Sequence, residues 1–333
     1  MRSSGIGGQA VIEGIMMKNK DRYAVAVRKP DQEIEVEVRE SGSVMKNPIL
    51  KKIPIVRGVL SFVESLVLGM RTLTFSAEFY EEEETAKPGK TEKALDRIFK
   101  DKAESVVMGL TVIFSIGFAV AIFMILPYYI SELLRPYVIS SALMALIEGI
   151  LRLAIFIGYI FLITLMKDIR RVFMYHGAEH KCINCVESGL PLTVENVRIS
   201  SRLHKRCGTS FLLIVMIVSI IFFFFIHTPN PVWRVVIRLL LVPVIAGVSY
   251  EFIRLAGSSD SILVNLLSAP GMLLQRLTTR EPDDSMIEVA IRAVEAVFDW
   301  KQYLADEGKI TQEELAQLRA EEGFEFIEDS EEN

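Results

Sequence analysis

Cysteine is scarce in this chain: three in 333 residues, alongside four histidines and two tryptophans. An odd number cannot all pair, which excludes a closed disulfide framework and fits a reducing compartment. The opening segment lacks the apolar core of a secretory signal, so no signal peptide is expected. Basic residues are scarce at one end. Residues 281–333 hold 17 Asp/Glu against 4 Lys/Arg, which leaves residues 1–280 with a net charge of +8. A basic body with an acidic tail suits anionic lipid headgroups, and no nucleic-acid partner is expected. Internal repeats are missing too. The run Gly5-Ile6-Gly7-Gly8-Gln9 lacks the Lys-Ser/Thr of a P-loop. What the chain has in quantity is apolar surface, 51% hydrophobic residues with a mean hydropathy of +0.35. That excludes a disordered chain and disfavours an entirely soluble one.

The apolar residues are concentrated in four runs: Ser105–Leu126, Ser140–Met166, Thr209–His227 and Trp233–Ile253. A helix needs ~20 residues to cross ~30 Å of hydrocarbon, and each run has about that length. Helices are the expected form, because lipid offers no partner to a free backbone N–H. Lys and Arg alternate across the connections: six in 84–104, one in 127–139, eight in 167–208 and none in 228–232. This bias puts both termini and the 167–208 loop in the cytoplasm. Two further segments are apolar but interrupted. Ile55–Tyr80 carries Arg57, Ser61, Glu64, Arg71 and Glu78 on one stripe, as an amphipathic helix at the interface or packed into the bundle. Ser258–Leu277 contains Asp260, Asn265, Pro270 and Gly271, and reads as a re-entrant or interfacial piece.

The expected fold is mainly α: a polytopic transmembrane helix bundle with a small N-terminal β region and a C-terminal amphipathic helix. Residues 1–54 form a Gly-rich segment and a β-hairpin, with Lys29-Pro30-Asp31-Gln32 as the turn and a further strand near Gln9–Ile15. Then come a membrane-associated helix (55–80), a charged linker (81–104), two spans (105–166), the His/Cys loop (167–208), two more spans with an interfacial segment (209–277), and amphipathic helices with an acidic tail (278–333). The repeat of Ile287, Ala290, Ile291, Val294, Val297 and Phe298 marks one of those last helices, and Thr311 starts another through a capping box.

The 167–208 loop holds three of the four histidines and all the cysteines. His176 and His180, at i and i+4, share one helical face, with Glu179 on the same side. The H-x-x-E-H order is that of inverted zincins: two imidazoles bind a metal and the carboxylate takes a proton from water. His204 or Cys207 would complete the set. A second arrangement is a structural knuckle of Cys182, Cys185, His204 and Cys207; a third leaves Cys182 and Cys185 as plain thiols. Elsewhere, Gln9 and Glu13 share a strand face that points toward a site. Glu148 and Arg152 sit mid-span as a functional pair or as an ion pair that orients the bundle. Glu251 pairs with Arg254 or reaches the histidines.

Three motifs together, Gly7–Met17, Tyr175–Lys181 and His204–Phe211, resemble the YqhQ family of bacterial membrane proteins. Arg57-Gly58 and Glu281-Pro282-Asp283-Asp284 agree with it. The resemblance covers roughly 5–300. It implies an uncharacterised, predicted metal-dependent enzyme with a divalent metal, zinc above others, at His176, His180, His204 and Cys207 beside Glu179. Cys182 and Cys185 depart from the family's pattern. The expected activity is hydrolase-like, on a lipid-linked or membrane-protein substrate at the bilayer. A metal-stabilised scaffold or regulator and a transporter through Glu148 and Arg152 are the rival readings.

Overall fold

The computed structural model describes residues 3–42, 52–81, 103–226, 228, 230–258 and 261–320. The linker at 82–102, His227, Asp260 and the acidic tail at 321–333 lie outside the described residues.

The N-terminal region is a four-stranded antiparallel meander: β1 (Gly7–Val11), β2 (Gly14–Asn19), β3 (Arg22–Arg28) and β4 (Ile34–Glu40), in that spatial order. The expected hairpin is β3–β4. Gln32 N–H donates to Lys29 O at 3.0 Å, with Pro30 in the second position of the turn. The single strand expected near Gln9–Ile15 is instead two, folded back at Ile12-Glu13 so that Val11 pairs Gly14. Glu13 adopts φ +48 there, a conformation the alternation pattern does not announce. Apolar residues point both ways from β2 and β3. Ile15, Met17 and Ala26 enter one core, and Val11, Met16, Tyr23, Val25 and Val27 enter another. The sheet is therefore covered on both faces.

Helix α1 (Val56–Glu81) covers the second face through Leu68, Phe75, Phe79 and Tyr80. After α2 (Ala103–Val120), a π-turn (Ala121–Ile125) leads into α3 (Leu126–Glu132). Then follow α4 (Ser141–Ile163), α5 (Lys167–Glu187), α6 (Val194–Ile199), α7 (Gly208–Phe224), α8 (Pro231–Ser258), α9 (Ile262–Thr278), α10 (Asp284–Glu295) and α11 (Trp300–Asp306). Helices α5 and α10 cover the first face of the sheet. Helix α10 shows the expected stripe, with Ile287, Ala290 and Val294 fully buried, and Asp283 caps it by accepting from Met286 N–H at 3.0 Å. The capping box at Thr311 is reciprocal: Thr311 N–H donates to Glu314, and Glu314 N–H to Thr311 Oγ1 at 3.1 Å.

Among the described residues, four helices are long and apolar enough to cross a membrane: Val56–Tyr80, Gly109–Glu132, Ala142–Ile163 and Val232–Gly257. Three of them match expected spans. The fourth is α1, whose charges are few enough for its apolar length to count. The expected span at Thr209–His227 folds as the 17-residue α7, which is apolar but short. The outer faces are greasy. Phe114 is 75% exposed and Ile113 68%, surface that water does not tolerate in a contiguous band and lipid does. Within the expected interfacial segment, α9 (Ile262–Thr278) is one helix, unbroken at Pro270 and capped by Ser261. It shows Leu266 and Leu273 outward and buries Val264, Leu274 and Gln275, an amphipathic arrangement suited to an interface.

Candidate metal centre

Helix α5 carries two stripes, and they do different work. Tyr175, Ala178, Cys182, Cys185 and Val186 recur at spacings of three and four and are buried in the core shared with the sheet and α10. His176, Glu179, His180 and Ile183 lie on the other stripe and border a cavity of about 650 Å³, and Glu187 follows on that stripe beside His204. Gly177 is what lets the helix seat. A Cβ there would lie 2.0 Å from Arg280 O, so only glycine permits the chain entering α10 to pass this close.

The loop after α6 is fixed to α5 through its carbonyls. Lys181 Nζ donates to Arg198 O at 2.8 Å and Ser200 O at 3.0 Å, and Asn184 Nδ2 donates to Ser201 O at 2.6 Å and Leu203 O at 3.0 Å. Buried carbonyls need such partners, so one turn of helix holds the whole loop. The loop delivers Cys207 as the N-cap of α7, where its Sγ accepts from Thr209 N–H at 3.4 Å.

Here the sequence candidates converge in part. Ligand atoms of His176, His180 and Cys207 all lie within 4.8 Å of one another. His176 Nε2 is 3.3 Å from Cys207 Sγ, and the two imidazole centroids are 4.4 Å apart. Each imidazole places Nδ1 on a backbone carbonyl: His176 on Thr278 O at 2.9 Å, His180 on Arg202 O at 2.7 Å. A carbonyl accepts only, so Nδ1 carries a proton, and in the neutral ring Nε2 keeps its lone pair for the centre. That is the outer support metal-binding histidines have. Tetrahedral zinc with bonds of ~2.0–2.3 Å sets its donors ~3.3–3.8 Å apart, so this donor set fits a divalent ion after a small inward movement.

Electrostatics pull in two directions: a raised pKa puts a second proton on His176, at Nε2 toward Cys207, which a cation would have to displace, while the thiol is drawn toward its metal-binding form. Burial alone would lower the pKa of His176, but Cys207 and then Glu179 raise it to about 9. Burial would likewise raise the Cys207 thiol. His176 and His180 instead hold it well below its ordinary value, and the N-terminus of α7 favours the same thiolate. A thiolate is the form that binds metal.

Glu179 Oε1 accepts from Gly8 N–H at 3.1 Å, while Oε2 stays 3.9 Å from His176 Nε2. A side chain on Gly8 would press on Glu179 Cγ and meet Met16 O at 2.5 Å. His204 stands beside the cluster, its ring centroid 5.8 Å from that of His180, with Nε2 3.5 Å from Glu187 Oε2. Gln275 fixes it: Oε1 accepts from His204 N–H at 2.8 Å, and Nε2 donates to His204 O and Ser210 Oγ, both at 2.7 Å. Glu187 also receives Ser4 and Arg206. Burial opposes its charge, but the bonds from His204, Arg206 and Ser4 bring it down to about 2. The sequence reading missed Glu187, although it sits eleven residues from His176 and so on the same stripe.

The other candidates lie elsewhere. Cys182 and Cys185 stay in the core; burial pushes Cys182 well above its ordinary pKa and Cys185 up to about 11. Gln9 borders the cavity and reaches Thr72 of α1 at 3.5 Å, packed on Gly69. Glu13 faces away and forks with Arg171, accepting Tyr175 O–H at 3.2 Å. Glu251 pairs with Arg57 across the close crossing of Gly58 and Gly247, with Nε to Oε1 at 2.6 Å, rather than with Arg254 or the histidines. Glu148 and Arg152 form the expected ion pair at 2.9 Å, and Arg238 of α8 joins it. Lys18 and Lys20 line the cavity and carry no ion pair among the described residues; the sequence reading passed over them.

A family described as "Protein of unknown function (DUF1385)" matches residues 53–300. The uncharacterized protein YqhQ of Bacillus subtilis (strain 168) is 39% identical over 291 residues, covering 86% of this chain and 90% of that one. No solved structure matches. The chain belongs to the DUF1385 family of proteins of unknown function, together with YqhQ.

Proposed function

We propose that the protein is a metal-dependent, hydrolase-like enzyme working at the cytoplasmic surface of the bacterial inner membrane, with both termini on that side. The observation that carries this reading is the convergence of three donors, and among the described residues no fourth, at an open cavity. Closed sites of four protein ligands are structural; three ligands and an approach from solvent mark the catalytic kind.

His176, His180 and Cys207 would hold the cation, zinc by the mixed nitrogen and sulfur donor set. When bound, it supplies a Lewis acid at that point. Glu179 is held by Gly8 with Oε2 turned toward the centre, where it accepts a proton from a water entering the cavity. His204, Glu187 and Gln275 lock the loop that carries Cys207. Lys18 and Lys20 add positive charge to the wall, which suits an anionic substrate. The cavity also borders Leu68 of α1 and Gly208 at the start of α7, so a lipid-linked or membrane-protein substrate reaches it from the bilayer side.

Elemental analysis of the purified protein tests the reading. The wild type should carry about one equivalent of metal. His176→Ala, His180→Ala and Cys207→Ser should lose it, whereas Glu179→Gln should keep it and lose turnover of chromogenic acyl or phosphate esters. A folded His176→Ala protein with full metal content would end the metal-enzyme reading. Metal loss in His204→Ala as well, with no effect of Glu179→Gln, would favour a structural site.

A further inference from the structure

A second polar site lies at the other end of the bundle. Helix α7 starts at Gly208, just after Cys207, and ends at Phe224, and its 17 residues span ~25 Å. At that far end Glu148 accepts two guanidinium groups, Arg152 at 2.9 Å and Arg238 with NH2 to Oε2 at 3.0 Å. All three side chains are at least 92% buried. Arg152 takes further partners: its Nε donates at 3.0 Å to Phe123 O, inside the π-turn, and NH1 lies 3.5 Å from Ser219 Oγ. Both guanidinium groups stack on Phe223, at 4.7 and 4.9 Å.

The charges do not balance. One carboxylate faces two guanidinium groups in a buried place, where an uncompensated charge costs several kcal/mol. Arg238 Nε is buried with no hydrogen-bond partner. Next to it opens a cavity of about 260 Å³, bordered by Glu148 and Arg238 and, farther out, by Arg234, Arg135 and Glu132. With Arg152 behind, the described side chains there hold four arginines against two glutamates, an excess of two positive charges. Guanidinium groups match the oxygens of a phosphoryl group. Arg238 gives its two terminal nitrogens to Glu148 and keeps Nε unpartnered, while Arg234 turns Nε and NH2 to Thr228 O and Arg135 turns NH1 to Glu132.

We infer that this cavity binds a phosphoryl anion, either free or as the headgroup of a lipid, at the bundle end remote from the metal centre. The apolar half of its wall, Phe223, Phe224 and Ile226, accommodates the carbon of such a headgroup. The inference stands apart from the proposed hydrolase, and its test needs no activity.

The full chain is placed in phosphatidylcholine nanodiscs and titrated with radiolabelled inorganic phosphate. In parallel, native mass spectrometry counts phosphatidylglycerol retained from mixed bilayers. Saturable phosphate binding assigns the free ion. One retained phosphatidylglycerol per chain, without phosphate binding, assigns the headgroup. In either case Arg238→Lys, which keeps the charge and loses the fork, should weaken binding about tenfold or more. Glu148→Gln raises the positive excess and should tighten it, the opposite of what mere loss of a stabilising ion pair would do. No phosphate binding and no retained lipid, or equal binding by wild type and both variants, overturns the inference.

Discussion

Replacing Gly177 by alanine should damage stability and metal affinity together. In an open stretch of helix the change would help by up to ~1 kcal/mol, since glycine is the poorer helix former. Here the new Cβ would sit 2.0 Å from Arg280 O and 3.5 Å from Pro282 Cδ. An ordinary contact needs over 1 Å more, so the 279–282 segment must move out. Overpacking of this kind costs ~1–3 kcal/mol, which exceeds the propensity gain. The movement would also carry Thr278 O away from His176 Nδ1, now at 2.9 Å. Loss of an outer partner of a metal-binding histidine weakens metal ~10–100-fold. The assay is thermal unfolding in detergent together with chelator competition. Gly158→Ala in α4, where a Cβ meets nothing within 4 Å, serves as the control and should be neutral or slightly stabilising. Unchanged melting and unchanged metal affinity in Gly177→Ala would refute the reasoning.

Thiol chemistry should separate the three cysteines: after chelation iodoacetamide should modify Cys207 first, while Cys182 and Cys185 react only on unfolding, as peptide mass mapping would reveal. Glu187 should make stability acid-sensitive. Its folded pKa of about 2 lies below the ordinary 4.5, so its contribution is complete above pH 4.5 and fades as pH falls toward 2. The difference amounts to roughly 3 kcal/mol, and Glu187→Gln should remove that part of the acid dependence of unfolding. A cysteine placed at Ser188 should resist impermeant maleimide in intact cells and react after permeabilisation; labelling in intact cells would invert the proposed orientation. Asp283→Ala should cost ~1 kcal/mol by uncapping α10, read as a lower melting temperature.

Sequence periodicity made legible whatever depends on a single element. The i, i+4 histidines share a face because α5 is a helix, and the stripe of α10 is buried as its spacing implies. What it left unread depends on pairs of elements. The choice of Cys207 over Cys182 and Cys185 follows from the loop delivering its thiol to the N-terminus of α7, while the other two turn into the core. The pairing of Glu251 with Arg57, 194 residues away, rests on a glycine crossing that no local pattern reveals. Likewise Arg238 joins Glu148 only because α4 and α8 meet at α7.

The shortness of α7 has a consequence for the membrane itself. Its 17 residues cover ~25 Å, against a hydrocarbon thickness of ~30 Å. A longer neighbour can tilt to fit; a short helix tied at its N-terminus by Cys207 and Gln275 has no such freedom. On the proposed reading, with α7 in the membrane, the bilayer would thin beside it by several ångströms, next to the cavity that opens on His176. Acyl chains there are disordered and headgroups are drawn inward, so a lipid ester or phosphate would need only a short excursion to reach the site. On that reading bilayer thickness would be a control variable for this protein, with shorter-chain lipids easing access and longer-chain ones resisting it.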